Sequence, residues 1–168
     1  MSVAIRYDLS RDDLTPGLAG LLAAAGDLTP AMDEIGVELV AATVHRFETE
    51  TGPDGQRWKP SYRALTEGGQ TLSLRGHLRD SNTHRPGSNW VEWGSNLIYA
   101  GVHQRGDTIR AKNAKALRFQ IGGQWAMRQS VTIPRRQFLG VDDADLEMIR
   151  EVLVEHVAAG AEGAGGAA

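Results

Sequence analysis

The longest regular pattern in the chain is helical and spans about residues 29–50. Thr29 is suited to cap this helix, and Pro30 suits the first helical position, where its missing N–H costs little. The Thr-Gly-Pro-Asp-Gly cluster at 51–55 ends it. One face is apolar, with Met32, Ile35, Leu39, Val40, Val44 and Phe47, and the other carries Asp33, Glu34, Glu38, Glu48 and Glu50. This amphipathic helix has to bury its apolar face, so the rest of the fold is predicted to pack on it.

A second helix is predicted near the C-terminus. Asp142 or Asp143 can cap it, and the acids at 142, 143, 145 and 147 favour its N-terminal dipole. Gly160 is predicted to end it, and 159–168 to form a flexible Gly/Ala tail. The predicted buried stripe is Leu146, Ile149, Leu153 and Val157, and Glu147, Glu151 and Glu155 form an acidic stripe. That acidic stripe fits a solvated face, a surface for a basic neighbour, or the wall of a DNA channel.

The N-terminal part predicts one strand and one short helix. Residues 3–9 alternate between apolar and polar side chains, which is typical of a strand. Residues 12–25 have the spacing of a helix that Gly26 ends. After the long helix, Trp58 follows a tight turn, and we expect its ring to pack back on that helix.

The middle of the chain is predicted to alternate short elements with loops. Residues 62–69 fit a helical turn or a loop, and 97–103 an extended or partly helical segment. The remaining predictions are a short helix over 72–81, a polar loop over 82–89 and a strand over 90–93.

The following segment predicts antiparallel strands. Residues 105–115 have few apolar side chains and a high positive density, which favours a mobile hairpin or loop. Residues 117–121 alternate cleanly before a Gly-Gly turn, 125–127 and 130–133 predict one or two more strands, and Pro134 ends the ladder. Together these patterns predict a single α+β domain over residues 1–158, with an antiparallel sheet packed against the long helix and the C-terminal helix.

Charge is divided unevenly along the chain. Residues 57–136 contain 14 Lys/Arg and 4 Asp/Glu, a net of +10, while the rest contains 4 and 17, a net of −13. Such asymmetry predicts two oppositely charged surfaces. They could pack together within one monomer, or copies could meet head to tail, basic face to acidic face.

Candidate catalytic and metal-binding residues are few. The chain has no Cys, which excludes disulfides and thiol chemistry, and its five His make no metal-binding pair. Ser95, His103 and Asp107 could be combined into a triad, but the Gly-x-Ser-x-Gly elbow is missing. His103 is better suited to pin the following loop by a hydrogen bond. We therefore predict no catalytic centre, cofactor or metal, and the apolar runs are too short for a membrane span.

The basic segment Arg105, Arg110, Lys112, Lys115 and Arg118 could contact nucleic acid. No helix-turn-helix or zinc-finger spacing is present, so sequence-specific DNA recognition is not expected. Contact with an acidic neighbouring subunit and contact with backbone phosphates both remain open. Four tryptophans, Trp58, Trp90, Trp93 and Trp125, lie in this middle part, and at least one could anchor a subunit interface.

Four phrases, in this order, resemble the phage virion morphogenesis family. They are Gly55-Gln56-Arg57-Trp58-Lys59-Pro60, Leu72-x-x-x-Gly76-x-Leu78-x-x-Ser81, Trp93-Gly94-Ser95-Asn96-x-x-Tyr99-Ala100-x-x-His103-Gln104-x-Gly106 and Ile133-Pro134-Arg135-x-x-Phe138-Leu139-Gly140. The chain departs from the family at 135–137, where Arg-Arg-Gln stands in place of a phrase that usually has Ala.

The resemblance implies a tail-completion or neck protein without catalytic residues or cofactors. It implies a ring of identical subunits, six in number, at the head–tail junction or tail end of a virion, next to stopper, adaptor or tail-tube proteins and the DNA in the channel. The interface candidates are Arg105, Arg110, Lys112, Lys115, Arg135, Arg136 and Phe138, and the structural motif residues are Trp58, Trp93, Asn96, Tyr99, His103, Gln104 and Pro134. The alternatives are a phage DNA-binding or packaging accessory protein and, from a third class, a small hydrolase.

Overall fold

The computed structural model describes residues 26–112, 114–121 and 123–165. The predicted strand at 3–9 and the predicted helix at 12–25 lie outside these residues. The described part is an α+β fold, as the sequence predicts. Among its helices, none is long and apolar enough to cross a membrane.

Five helices and six strands follow one another along the described chain. The helices are α1 (Thr29–Thr49), α2 (Tyr62–Glu67), α3 (His77–Asp80), α4 (Ala100–Arg105) and α5 (Asp143–Gly165). The strands are β1 (Asn82–Pro86), β2 (Val91–Ser95), β3 (Asp107–Arg110), β4 (Leu117–Ile121), β5 (Gln124–Arg128) and β6 (Ser130–Ile133). Where one sheet was expected, the described strands pair into three antiparallel two-stranded sheets, β1–β2, β3–β6 and β4–β5.

The long helix α1 is the centre of the fold, as predicted. Thr29 does not cap it but lies inside it, and the Asp27 carboxylate accepts hydrogen bonds from the Thr29 amide and hydroxyl. Its N-terminal half packs against β2 and α5 in one apolar cluster, formed by Ala31, Met32, Ile35, Leu39 and Val152. At its C-terminal end Glu50 adopts a left-handed conformation, and a second cluster begins there with Phe47, Trp58, Leu78, Ala100 and Phe138.

The hairpin β1–β2 lies across α1. A Cβ at Gly36 would lie 2.3 Å from the His84 ring, so only glycine allows β1 to approach the helix this closely. Nε2 of His84 lies 2.8 Å from an Asp33 oxygen and joins the hairpin to α1. The predicted loop at 82–89 is therefore wrong over 82–86. The polar composition of this segment hid the strand from sequence analysis. β1 exposes Thr83 and Arg85, while its backbone pairs with β2.

The predicted helix at 72–81 is also shorter than expected. Leu72 and Gly76 have positive φ angles of 64° and 73°, which a right-handed helix does not accept, so only α3 is helical. The Leu74 side chain is consequently exposed rather than part of an apolar stripe.

In the C-terminal helix the capping prediction is confirmed, but the buried face is rotated about the helix axis relative to the predicted apolar stripe. Asp142 accepts a hydrogen bond from the Asp145 amide, and the Asp145 carboxylate accepts one from the Asp142 amide, both at 3.0 Å. Val152 is buried and Leu146 is 57% exposed, the reverse of the prediction for Leu146, because α1 contacts the side of α5 that carries Met148, Ile149, Val152 and Leu153. The helix continues to Gly165, past the predicted end at Gly160.

Candidate functional site

The segment predicted as a mobile hairpin or loop is part of a two-stranded arm. β3 pairs with β6 and β4 pairs with β5, and the Ala111 amide donates to the Gln129 carbonyl at 3.0 Å between the two pairings. The chain thus runs out along β3 and β4 and returns along β5 and β6. We call residues 107–133 the ribbon.

The ribbon and its base are strongly basic. Residues 105–136 contain eight Lys/Arg and one Asp/Glu, a net of 8 − 1 = +7. The exposed members include five predicted interface candidates, Arg105, Arg110, Lys112, Lys115 and Arg135. Because these charges are hydrated and close to one another in sequence, they give the ribbon a positive field that attracts acidic surfaces and phosphates.

The outer face of the ribbon carries an aromatic–cationic pair. Trp125 and Met127 are each 61% exposed. The Arg118 guanidinium carbon lies 4.1 Å from the centre of the Trp125 ring, a cation–π contact. A tryptophan and a methionine in this position add nothing to the core of the chain, and both residue types are enriched in protein interfaces.

The inner face of the ribbon forms one wall of an open apolar groove of about 460 Å³. Alternate side chains of the two arms point into it, namely Phe119, Ile121, Val131 and Ile133. Tyr62 from α2 and Leu74 line the opposite wall. At the base of the ribbon, a Cβ at Gly106 would lie 2.8 Å from the Arg135 amide nitrogen, and φ is 74°, so glycine is required where the two ends cross.

His103 and Arg136 lie in the wall of this groove. Burial, followed by the positive charge of Arg136, lowers the pKa of the His103 imidazole, whose Nδ1 has no hydrogen-bond partner among the described residues. The predicted pinning of the loop comes from the backbone instead, since the Arg136 amide donates to the His103 carbonyl at 2.8 Å. The Tyr99 ring packs edge-on to His103, with 6.3 Å between the ring centres.

Arg136 is a buried cation, not an exposed interface residue. Its Nε donates to the Lys59 carbonyl at 2.7 Å, and burial lowers its pKa. Within the described residues it makes no ion pair with a carboxylate. Phe138, also predicted as an interface residue, is fully buried, with its ring centre 5.2 Å from that of Phe47. The sequence pattern could not separate these two from Arg135, which is exposed.

The Gln104 side chain holds the 134–140 segment in place. Its Oε1 accepts hydrogen bonds from the Phe138 and Leu139 amides, both at 3.0 Å, and its Nε2 donates to the Leu139 carbonyl at 2.6 Å. Trp58 supports the same segment by donating from Nε1 to the Gln137 carbonyl at 2.9 Å. The ribbon is therefore anchored to the core through the motif residues that the sequence singled out.

The other motif residues lie nearby. Trp93 packs half-buried against the first apolar cluster, and its indole N–H is buried without a partner among the described residues. Asn96 is exposed in the turn after β2. Pro134 directly follows β6, as predicted, and lines the groove.

One ionic cluster was not anticipated from the sequence. Arg46, on the buried side of α1, hydrogen-bonds to the Gly140 carbonyl at 2.8 Å, to Asp142 at 2.9 Å and to Asp145. The Asp145 amide and then Arg46 lower the pKa of Asp142. The only local signal was an arginine on the apolar face of a helix, between Thr43 and Phe47. This cluster joins the end of the 134–140 segment to both long helices.

The possible triad is not assembled. Ser95 Oγ pairs with Ser81 Oγ at 2.7 Å and accepts from the Leu97 amide, while Asp107 accepts from the Thr108 amide. Neither residue is hydrogen-bonded to His103. No group of three or more His, Asp or Glu side chains in the described part of the chain could hold a metal ion.

A family model described as the phage virion morphogenesis family matches residues 9–158. Neither a curated protein nor a solved structure matches the chain significantly. Because the match covers most of the sequence and includes all four phrases, the chain belongs to the phage virion morphogenesis family.

Proposed function

We propose that this member of the phage virion morphogenesis family is a non-enzymatic structural protein of the tail-completion or neck type. In this proposal six copies assemble as a ring at the head–tail junction or tail end of the virion. The ring contacts neighbouring neck and tail proteins, such as a stopper, an adaptor or the tail tube, and surrounds the path of the DNA.

The ribbon is the observation that carries this proposal. It is an antiparallel arm with one face open to solvent and the other lining a groove, and it exposes Trp125 and Met127. Monomeric proteins rarely expose large apolar side chains together, whereas interfaces use them as anchors. The 134–140 segment that follows the ribbon is tied to the core by Gln104 and Trp58, which fixes the C-terminal end of the ribbon.

The charge distribution supports self-assembly. The ribbon is basic, while the two long helices expose most of their acidic residues. Between Thr29 and Thr49, α1 carries four Asp/Glu and one Arg, and between Asp143 and Gly160, α5 carries five and one. Opposite charges on different elements of one chain favour contact between copies, which gives rings when the contact is head to tail.

Reversing the charge of three ribbon residues tests the proposal. In the variant with Arg110→Glu, Lys112→Glu and Lys115→Glu we expect loss of the assembled species in native mass spectrometry and of virion completion. The monomer should keep its fold, because all three side chains are exposed. Far-ultraviolet circular dichroism and urea unfolding check this.

The matched control reverses three exposed cations outside the ribbon, Arg57, Lys59 and Arg85, and so makes the same change in net charge. It should assemble normally. Normal assembly by the ribbon variant, or equal loss in both variants, would contradict the role given to the ribbon.

A second candidate function is DNA binding by the ribbon. The stacked Arg118 and Trp125 pair favours it, because exposed aromatic rings beside cations stack on nucleotide bases. This function expects salt-dependent retention of DNA by the isolated protein, weakened by Trp125→Ala. The ring proposal expects assembly without DNA. It also expects weak retention of DNA by the isolated protein, because the chain has a net charge of −3.

A further inference from the structure

The groove beneath the ribbon continues into a second depression. That depression has a volume of about 170 Å³ and shares Leu72, Leu74 and His103 with the groove. Leu74 is 67% exposed and Tyr62 is 60% exposed. The groove and the depression form one continuous apolar surface. Leaving it in contact with water costs a monomer free energy in proportion to the exposed apolar area.

The walls of this surface carry three arginines. Arg63 and the buried Arg136 line the groove, and Arg75 lines the adjoining depression. Among the described residues no Asp or Glu side chain lines either of the two, and Glu67 lines a neighbouring depression that shares Tyr62 and Arg63 with the groove. A buried guanidinium that contacts only carbonyls in the described chain is stabilised further by a carboxylate brought close to it. The occupant that fits best is therefore a surface with exposed apolar side chains and a net negative charge.

The outer face of α5 has this chemistry. Leu146 and Val154 are 57% and 62% exposed and lie eight residues apart on that face, on either side of the exposed Arg150, which lies 3.6 Å from Glu147. Glu147 and Glu151 are exposed beside them, each four residues from the next acid along the helix. An amphipathic helix that places such residues in a groove is a common mode of protein recognition.

Within one chain the two surfaces belong to separate parts of the fold. α5 packs on α1 and contributes to the first apolar cluster, whereas none of its described side chains (143–160) lines the groove. The groove is built from α2, the 72–74 segment, α4 and the ribbon. A contact between the two surfaces is thus a contact between copies.

We infer that the groove beneath the ribbon receives the outer face of α5 from a second copy of this chain, with Leu146 and Val154 against its apolar floor and Glu147 and Glu151 near Arg63 and Arg136. The inference rests on the proposed self-assembly and adds two surfaces to it, beside the ribbon cations Arg110, Lys112 and Lys115. Because they differ, each copy offers one of each, and the contact repeats head to tail until the ring closes.

The absence of cysteine in the chain allows a direct test. Leu74→Cys and Val154→Cys are placed in separate proteins, which are mixed at high concentration under mild oxidation. A contact between the surfaces places the two thiols within reach of a disulfide. We expect the 74–154 crosslink to form about tenfold faster than crosslinks between unrelated exposed sites, since docking raises the effective concentration. Val37→Cys on α1, 51% exposed, replaces Val154→Cys in the control mixture.

Three outcomes would overturn the inference. A dominant 74–74 crosslink would mean that two grooves face each other. Equal rates for the 74–154 and 74–37 pairs would mean that contact is non-specific. Loss of folding stability in Leu74→Asp without any change in assembly would mean that the chain covers its own groove.

Native mass spectrometry of the untreated protein separates this inference from the proposed ring. Six-subunit species without the 74–154 crosslink would support the ring and contradict the contact between the groove and α5. A specific 74–154 crosslink in open, unclosed chains would keep the surfaces and reject the closed ring. Absence of both the six-subunit species and the crosslink would reject both.

Discussion

The helical half of the molecule is α1 with α5, and the ribbon half is the ribbon with the residues that line the groove beneath it. The two halves differ in the partners of their buried cations and in the exposure of their large apolar side chains. In the helical half, Arg46 lies between two carboxylates and a carbonyl, and the apolar side chains of α1 are buried by α5 and β2. In the ribbon half, the hydrogen-bond partners of the Arg136 side chain among the described residues are carbonyls, and Trp125, Met127 and Leu74 are exposed. Stability is concentrated in the first half, while the second retains groups that another molecule can satisfy.

The two tryptophans nearest this boundary illustrate the difference. Trp58 is 6% exposed, packs edge-on against Phe47 with 5.4 Å between ring centres, and donates its N–H to a carbonyl. Trp125 is 61% exposed and contacts Arg118 at the surface. The first residue closes a core, whereas the second is available to a partner.

The largest effect is expected in the helical half, from Arg46→Ala. This change leaves the buried Asp145 and the neighbouring Asp142 without their cation. Removing one partner of a buried ion pair costs about 3–5 kcal/mol, and we expect a loss of unfolding free energy of this order in urea titrations.

Arg150→Ala is the control, because its contact with Glu147 at 3.6 Å is exposed. It should change stability by less than about 0.5 kcal/mol. Equal effects would show that the Arg46 cluster does not stabilise the helical half.

A smaller effect is expected at the joint between the two halves, from Gln104→Ala. The change removes the acceptor of the Phe138 and Leu139 amides and the donor to the Leu139 carbonyl. Unsatisfied groups that are partly buried cost about 1–3 kcal/mol each, and water reaching the loop offsets part of this, so we expect a net loss of about 2 kcal/mol.

The ribbon provides the control for this joint. Gln120→Ala removes an exposed amide from β4 and should leave the unfolding free energy within about 0.5 kcal/mol of the wild type. If Gln104→Ala behaves like Gln120→Ala, the anchoring of the 134–140 segment does not depend on this side chain.

Features of the fold with local causes could be predicted from the sequence. The span of α1 follows from its periodicity and the breaker cluster after it, and a cap at Asp142 or Asp143 from the acidic helical turn that follows, with Asp142 filling it in the structure. The strands at 117–121 and 130–133 follow from alternation and flanking turn residues. In each case the residues that determine the element lie within it or next to it.

Features that depend on distant contacts could not be predicted in this way. β1 is polar, and it is a strand only because β2 pairs with it and Gly36 of α1 admits it. The buried side of α5 is set by where α1 lies, which made Leu146 exposed and Val152 buried. Likewise, the partners of Arg46 are more than ninety residues away along the chain. The basic candidates of the site were visible in sequence, but their division into exposed Arg135 and buried Arg136 was not.

The smallest effect is expected in the groove, from the pH dependence of His103. Burial and Arg136 lower the His103 pKa below the unfolded value of about 6.5. Between these two values the unfolded chain binds the proton and the folded chain does not, so the unfolding free energy falls as the pH drops below about 6.5. The loss ends once the folded state is also protonated.

In urea titrations between neutral and mildly acidic pH, His103→Leu should remove this part of the slope, and His45→Gln, an exposed site, should not. A binding partner that brings a carboxylate into the groove would raise the His103 pKa, so the same slope should shrink on assembly. An unchanged slope in His103→Leu would show that the groove does not hold this imidazole neutral.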